Sequence, residues 1–489
     1  MKRITIDPIT RLEGHGKIEI FLDDQGEVKD THFVIPELRG FEVFCVGRPA
    51  EEMPRITQRI CGVCPEAHHM AATKALDDLF HVEPPSAAKK LRELFYMAFY
   101  VTDHTTHFYA LGGPDFIVGP DAPKYEHNVL GVIAKVGLEI GSQVIGCRKR
   151  NHEVIKMLGG RHIHPAAGLP GGWSKAMSEA EREEIEKIAR QNVEFAKFTI
   201  QIFNDVVLAN PAYVELITSE AYTQPLYYMG MVDEHNRVNF YDGQVRVVDP
   251  SGKEFCKYAP HEYTQHIAEH VEPWTYLKYP FLKKVGWKGF VPGPDSGMYC
   301  ATPLSRLNAA DSMATPLAQA EYERFYQTLG GKPVHHTLAT HWARVIELLY
   351  AAEHMLELVQ DPEITDPKVR VIPSEMPTEG IGIVEAPRGT LTHHYVTDER
   401  GILTQVNLVV GTTNNYAPIT LSIKKAAAGL IHQGTVITDG LLTKVEMAFR
   451  AYDPCFSCAT HSLPGQMPLE VVVRDARGNV VERLRQNVE

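Results

Sequence analysis

The chain has no uninterrupted apolar stretch near the ~18 residues that a membrane-spanning helix requires, and its start, MKRITIDPITRLEGHG, has no apolar core of signal-peptide length. A cytoplasmic location is therefore expected, with no membrane span. Positive charge is not in excess either: 49 Lys and Arg against 61 Asp and Glu leave a net charge of -12, the wrong sign for gripping phosphate backbones. Nucleic acid is not expected as a partner. No internal repeat and no low-complexity tract is found, and no GxGxxG fingerprint follows a clear strand, so a nicotinamide or flavin site belongs on another subunit. Cysteine is scarce, with eight in 489 residues. In a reducing compartment so few thiols do not make a disulfide scaffold, and any clustering among them points to metal or redox chemistry.

What is present is an ordinary globular composition, 44% hydrophobic and 22% charged, long enough for a large core. Alternating residues predict strands over 17–22 and 28–35, with residues 4–11 leading in. Helical spacing predicts a helix from Ser86 to Leu111, stopped by Gly112-Gly113-Pro114, that carries Asp103, His104 and His107. Ser178 with Glu181 is a capping box for a helix reaching Ala209, and a third helix runs from Leu338 to Val359. The Tyr, Pro and Gly-rich stretch 222–300 has a hairpin signal at GQVRVVDPSGKEF, strand-like runs cover 381–411 around TDERG, and LEVVVRDARGNVVERL reads as a last hairpin. The expected fold is α+β and predominantly helical, with a long central helix bundle, peripheral β hairpins, and the two chain ends meeting at a site.

Two CxxC pairs lie near opposite ends: Cys61 and Cys64 in RICGVCPEAHH, Cys455 and Cys458 in RAYDPCFSCATH. A two-residue spacing brings both sulfurs to one side, and two such pairs build a four-sulfur site. Each pair is followed by a histidine, His68 and His461. A zinc clamp joining the two ends is one reading of this pattern. Zinc ribbons usually close within about 15 to 20 residues, however, and zinc does not account for the accompanying Glu13 in RLEGHG, Glu42 in RGFE, Asp103 in DHTTHFY, Arg388 in EAPRGTLTHHY and Asp453 beside Cys455.

With these motifs in their order, together with HPAAGLPGG, the chain resembles the large, catalytic subunit of nickel-iron hydrogenases over its whole length. The RAYDPCFSCATH ending and GQMPL tail are most similar to the soluble, bidirectional or cofactor-linked cytoplasmic branch. The resemblance implies reversible heterolytic cleavage of dihydrogen. It makes Cys61 and Cys455 terminal nickel ligands and Cys64 and Cys458 bridges to iron, which carries two cyanides and one carbon monoxide. Thiolates, as soft donors, suit such a centre. Arg388, with Pro387, and the hydroxyl of Thr412 are implied around the cyanides, although VVGTTNN departs from the VVPTTWN-like family pattern at Gly411 and Asn414. Glu13 is implied as the proton carrier next to Cys455. Asp103, Arg388 and Asp453 form a polar canopy, and His68 donates to a bridging sulfur. Glu42, His461 and a backbone carbonyl near Leu408 resemble ligands of a second metal, magnesium or iron.

His104, His107 and His164 are read as structural, and Cys45, Cys147, Cys256 and Cys300 as plain buried thiols. Residues 1–461 form one catalytic unit, comprising an N-terminal β region with the first CxxC over 1–70, a helical core over 71–374 and a β region with the second CxxC over 375–461. Residues 462–489 form an extension that the resemblance implies is removed by a maturation endopeptidase. Too few cysteines remain for iron-sulfur clusters, so electrons leave through an iron-sulfur small subunit. Beyond it, flavin and nicotinamide or heterodisulfide-reductase-type subunits lead to an acceptor such as NAD(P) or ferredoxin. Two alternatives stand beside this reading: the zinc-clamped scaffold, and a structural subunit of a respiratory quinone-reducing complex, whose counterpart lacks the four cysteines.

Overall fold

A computed structural model describes residues 2–37, 40–456, 470–474 and 480–485. Four long helices, Ser86–Thr106, Leu138–Gly159, Glu179–Phe203 and Thr340–Gln360, pack against one another as the central bundle. The capping box at Ser178 and Glu181 forms as the sequence demands, each side chain satisfying the other's backbone N–H. Thr340–Gln360 is the innermost helix. Its first four turns are buried on all faces, so the polar residues they carry must find partners inside the protein.

The Ser86 helix does not stop at Gly112-Gly113-Pro114. It widens into π-helical turns over His107–Gly112 and again over Pro114–Val118, and ends at Gly119, whose φ of 101° leaves the helical region. Gly113 keeps helical dihedrals, and Pro114 opens the second wide turn, where a missing N–H is tolerated. Gly112 is required by close approach: a Cβ there would lie 2.7 Å from the His341 ring.

Three antiparallel strands, Lys2–Ile6, Lys17–Leu22 and Val28–Val34, form the N-terminal sheet, with Ile18, Ile20 and Leu22 alternating inward. The stretch 222–300 holds a four-stranded sheet, including the hairpin of Gln244–Val248 with Glu254–Tyr258, and a second hairpin of Ile267–Val271 with Lys278–Leu282. Glu379–Ala386, Gly389–Thr397 and Leu403–Val409 form a third sheet on which helix Pro65–Leu79 lies. That contact needs glycine in the strand. A Cβ on Gly380 or Gly382 would fall within 2.2 Å of the Ala75 or Ala71 carbonyl oxygen.

The stretch 375–461 is β only as far as Val409; helices Tyr416–Leu430 and Asp439–Arg450 follow, driven by apolar spacing that the strand reading passed over. Glu470–Arg474 and Val480–Arg485 pair antiparallel as the last hairpin. The α+β class with a central bundle and peripheral hairpins is as expected. Among the described residues no helix is long and apolar enough to cross a membrane.

Candidate metal centre

Cys61 ends a short 3-10 segment, and Cys64 is the residue before helix Pro65–Leu79, with Pro65 at its first position. Cys64 thus sits at the positive end of a 15-residue helix, and the amides of Val63 and Cys64 donate to Cys61 Sγ at 3.1 and 3.3 Å. Cys455 arrives from the other end of the chain. The backbone of Glu13 brackets it in a parallel bridge, with Glu13 N–H donating to the Pro454 carbonyl and Phe456 N–H to the Glu13 carbonyl. This docking is clamped from behind: Arg11 and Arg450 share Asp115 on the π-helical segment, and Thr10 N–H donates to Glu446. The three sulfurs lie within 4.8 Å of one another and are buried. Cys61 and Cys455 Sγ are 3.3 Å apart, and Cys455 Sγ donates to Glu13 Oε2 at 3.0 Å. Cys458 and His461 lie outside the described residues.

Arg388 stands at the two-residue tip between strands Glu379–Ala386 and Gly389–Thr397, because Ala386 pairs with Gly389. Its guanidinium reaches Asp103 at 3.0 Å and Asp453 at 2.9 Å, all three buried, while its Nε has no hydrogen-bond partner among the described residues. Burial raises the Asp103 carboxyl to about 6 against the pull of Arg388. Burial also opposes charge on Asp453, but Arg388, His107 and Arg344 outweigh it and hold that carboxyl below its ordinary value. Asp453 further adopts a left-handed φ of 55°, strained for a non-glycine residue. A cavity of about 10 Å³, room for roughly one water, is lined by Cys64, His68, Arg388, Val410, Thr412 and Cys455 among others. Thr412 Oγ1 accepts from Cys455 N–H at 3.1 Å, leaving its own proton to donate. Burial pushes His68 down to about 4, which keeps it neutral; its Nδ1 is 3.1 Å from His393 and its Nε2 has no hydrogen-bond partner among the described residues.

The geometry thus brings together Cys61, Cys64, Cys455, Glu13, Asp103, Arg388, Pro387, Asp453, His68 and Thr412. At a second place Glu42 meets the Leu408 backbone, whose N–H donates to Oε1 at 2.8 Å, and Lys278 Nζ is 3.6 Å from Oε2. The family profile described as nickel-dependent hydrogenase matches residues 39–135 and 142–461, leaving 136–141 between them, and one described as HoxL-like matches 3–38. The chain belongs to the nickel-dependent hydrogenase family.

This hydrogenase chain is 51% identical to the F420-non-reducing hydrogenase iron-sulfur subunit of Archaeoglobus profundus, over 99% of this chain and 100% of that one. It is 38% identical to NAD-reducing hydrogenase HoxS subunit beta of Cupriavidus necator, over 98% and 99%. A solved NAD+-reducing NiFe-hydrogenase in the H2-reduced state superposes with a TM-score of 0.88 at 36% identity, covering 94% of this chain and all of that one.

Several residues around the hydrogenase site escaped the sequence reading. Arg344 is buried 3.5 Å from Asp453 and donates to the Pro387 carbonyl at 3.1 Å and the Ala451 carbonyl at 3.4 Å. Arg306 binds Glu347, Glu385 and the carbonyls of Ala386 and Pro387 beneath the same hairpin tip. His107, expected to be structural, has Nδ1 3.1 Å from Asp453 and so touches the canopy. The signal available for Arg344 was its place with His341 and Glu347 at three-residue steps on a helix otherwise too apolar to face water. At the departure from the family pattern, Asn414 donates to the Thr390 and Val410 carbonyls, stitching the hairpin. Cys45, Cys147 and Cys300 are buried, but Cys256 is only half-buried because its strand Glu254–Tyr258 lies at a sheet edge. Burial pushes Cys45, Cys147 and Cys256 up to about 11, which keeps them as neutral thiols.

Proposed function

We propose that this chain cleaves dihydrogen reversibly at a nickel-iron centre held by Cys61, Cys64, Cys455 and Cys458. The reading is carried by the Cys455 thiol, 3.3 Å from Cys61 Sγ on one side and 3.0 Å from Glu13 Oε2 on the other. A cysteine sulfur that, once protonated, donates to a neighbouring carboxylate is what proton removal from a metal centre requires. The pocket fits the group. Its donors are soft and buried, and Arg388 Nε and His68 Nε2 are buried nitrogens with no hydrogen-bond partner among the described residues.

When bound, the centre supplies the electrophilic site that polarises dihydrogen. Cys455 Sγ holds the released proton first, and Glu13 Oε2 takes it onward. Arg388, fixed between Asp103 and Asp453, presents positive charge to the cavity at no cost in reorganisation. Arg388, Pro387 and Thr412 would surround two cyanides and one carbon monoxide on the iron, and His68 Nε2 would serve the sulfur of Cys64. Glu42, the Leu408 backbone and His461 would hold magnesium, an oxygen-rich choice, with iron as the alternative.

Electrons pass to an iron-sulfur small subunit, then on to a soluble acceptor in the cytoplasm. The F420-non-reducing names among the relatives support an acceptor other than F420; the candidates are NAD(P) through a flavin subunit, ferredoxin, or a heterodisulfide-reductase-type subunit. A maturation endopeptidase removes residues 462–489. Infrared bands from bound cyanide and carbon monoxide, with nickel and iron in near-equal amounts, are expected from the purified complex. Cys64→Ser should abolish both nickel retention and turnover. Zinc as the only metal, or turnover surviving that substitution, would refute the assignment.

A further inference from the structure

His68 stands in the first turns of helix Pro65–Leu79, in line with Ala71, Ala72 and Ala75 on one face. That face descends onto strand Glu379–Ala386, where Gly380 and Gly382 leave room for the helix backbone. The same two glycines are the cross-strand partners of two polar residues on strand Gly389–Thr397. Gly382 is paired with His393, and Gly380 with Tyr395. Residues two apart on a strand share a face, and directly opposed residues point the same way, so the imidazole and the phenol lie on the side that the helix covers. Both are fully buried. His393 Nε2 is 3.1 Å from His68 Nδ1, and His393 Nδ1 is 2.5 Å from the Tyr395 hydroxyl. The chain of hydrogen bonds thus runs from the strand, through the helix, to a residue lining the cavity beside Cys64.

A neutral imidazole has one N–H and one bare nitrogen, so such a chain has a direction. In the first direction Tyr395 O–H donates to His393 Nδ1, His393 Nε2–H donates to His68 Nδ1, and His68 carries its proton on Nε2. In the reverse direction His68 Nδ1–H donates to His393, His393 donates to the Tyr395 oxygen, and Tyr395 donates to Thr57, whose own proton goes to the Met53 carbonyl at 2.7 Å. His68 Nε2 is then bare. Burial holds the Tyr395 phenol well above its ordinary value, so it keeps its proton in both. The cavity decides between them. A bare nitrogen would set its lone pair against a thiolate, whereas an N–H there satisfies both groups. A carboxylate or a backbone carbonyl, the usual partner of a histidine at a metal centre, would accept from Nδ1–H and leave Nε2 bare. A second imidazole backed by a hydroxyl does the opposite, because it can donate to Nδ1, and each bond in the row polarises the next.

We propose that His393 and Tyr395 are positioning residues that hold His68 as an Nε2–H donor toward the Cys64 sulfur, with the thiolate selecting the direction of the chain. This rests on the nickel-iron reading given above. Neutron diffraction from crystals of the assembled enzyme, produced in deuterated medium, should show deuterium on His68 Nε2 and on His393 Nε2, with the Tyr395 hydroxyl turned to His393. Deuterium on His68 Nδ1 overturns the proposal. Tyr395→Phe, which weakens the donor to His68, and His393→Leu, which removes it, should both move the carbon monoxide band to lower wavenumber, His393→Leu further. A thiolate that loses a hydrogen bond returns electron density to the iron, and from there to the carbon monoxide. His393→Gln, whose amide can donate to the same nitrogen, should keep the band nearest its original position, with nickel content unchanged in all three variants. Bands unmoved in both Tyr395→Phe and His393→Leu would leave the pair with packing alone and overturn the proposal. If the His393 variants do not assemble, Tyr395→Phe, which differs by one oxygen, carries the test. Should the unsubstituted enzyme show no cyanide or carbon monoxide bands, the nickel-iron reading falls, and the deuterium positions alone decide the chain's direction.

Discussion

The backbone of Glu13 is held by its bridge to Cys455, which sets where the side chain starts. Glu13→Gln keeps that bridge and the volume but removes the proton acceptor. Turnover is expected to fall by about 100-fold or more, with nickel content and the cyanide and carbon monoxide bands unchanged; an active Gln variant would remove Glu13 from the proton path. Arg344 acts differently, because it touches none of the proposed ligands. Its contacts to the Pro387 carbonyl, the Ala451 carbonyl and Asp453 tie the tip that carries Arg388 to the turn before Cys455. Removing one member of a buried charge network leaves its partners uncompensated and costs about 3–5 kcal/mol. Arg344→Ala should therefore lower the melting temperature and shift the cyanide bands, while Arg344→Lys, which keeps the charge but not the fork, should recover stability better than band position. Unshifted bands in both variants would leave Arg344 with packing alone.

Helix Thr340–Gln360 shows at the scale of an element what polar residues do inside a bundle. One end braces the site through His341, Arg344 and Glu347; the other places His354 Nε2 3.0 Å from Glu93 and Nδ1 3.2 Å from Glu357. Burial would lower His354, but the bonds to Glu357 and Glu93 outweigh it and lift the imidazole to about 9. A group raised on folding stabilises fully below its unfolded value near 6.5 and loses that contribution as pH climbs through 9. Thermal unfolding from pH 6.5 to 9.5 should show the native chain losing on the order of 2 kcal/mol that His354→Gln never had; parallel curves would deny the linkage. Elements of this kind explain what was legible beforehand. Strands over 17–22 and the helix at Ser178 were readable because alternation and a capping box are local signals. The π-helical turns after Thr106 were not, because Gly112 is packed into the turn against His341, a contact only the fold supplies; the helices after Val409 carried an apolar spacing that the strand reading passed over. At the site, the CxxC pairs and EAPRG announced themselves by spacing, whereas Arg344 and Arg306 are isolated in sequence and become neighbours of the hairpin tip only in the folded bundle.

For the molecule as a whole, the site is a closure of the chain on itself. Residues 10–13 and 446–456 meet through Glu446, Asp115, Arg450 and the Glu13 bridge, and the sulfurs of Cys61 and Cys455 come together only when that meeting is complete. Whatever follows Cys455 must then pass next to the cavity. Twenty-eight residues lie beyond His461, and they include strands Glu470–Arg474 and Val480–Arg485, a hairpin able to form outside the site. The cleavage proposed after His461 would separate that hairpin from the second CxxC and leave the last motif histidine at a free chain end. Removal of Ser462 to Glu489 should follow metal insertion: intact mass of the active enzyme should correspond to a chain ending at His461, and Cys64→Ser, unable to retain nickel, should accumulate as the full 489-residue chain. A fully active enzyme whose mass includes Glu489 would refute the coupling. Cleavage of the Cys64→Ser chain at the normal rate would leave processing independent of the metal.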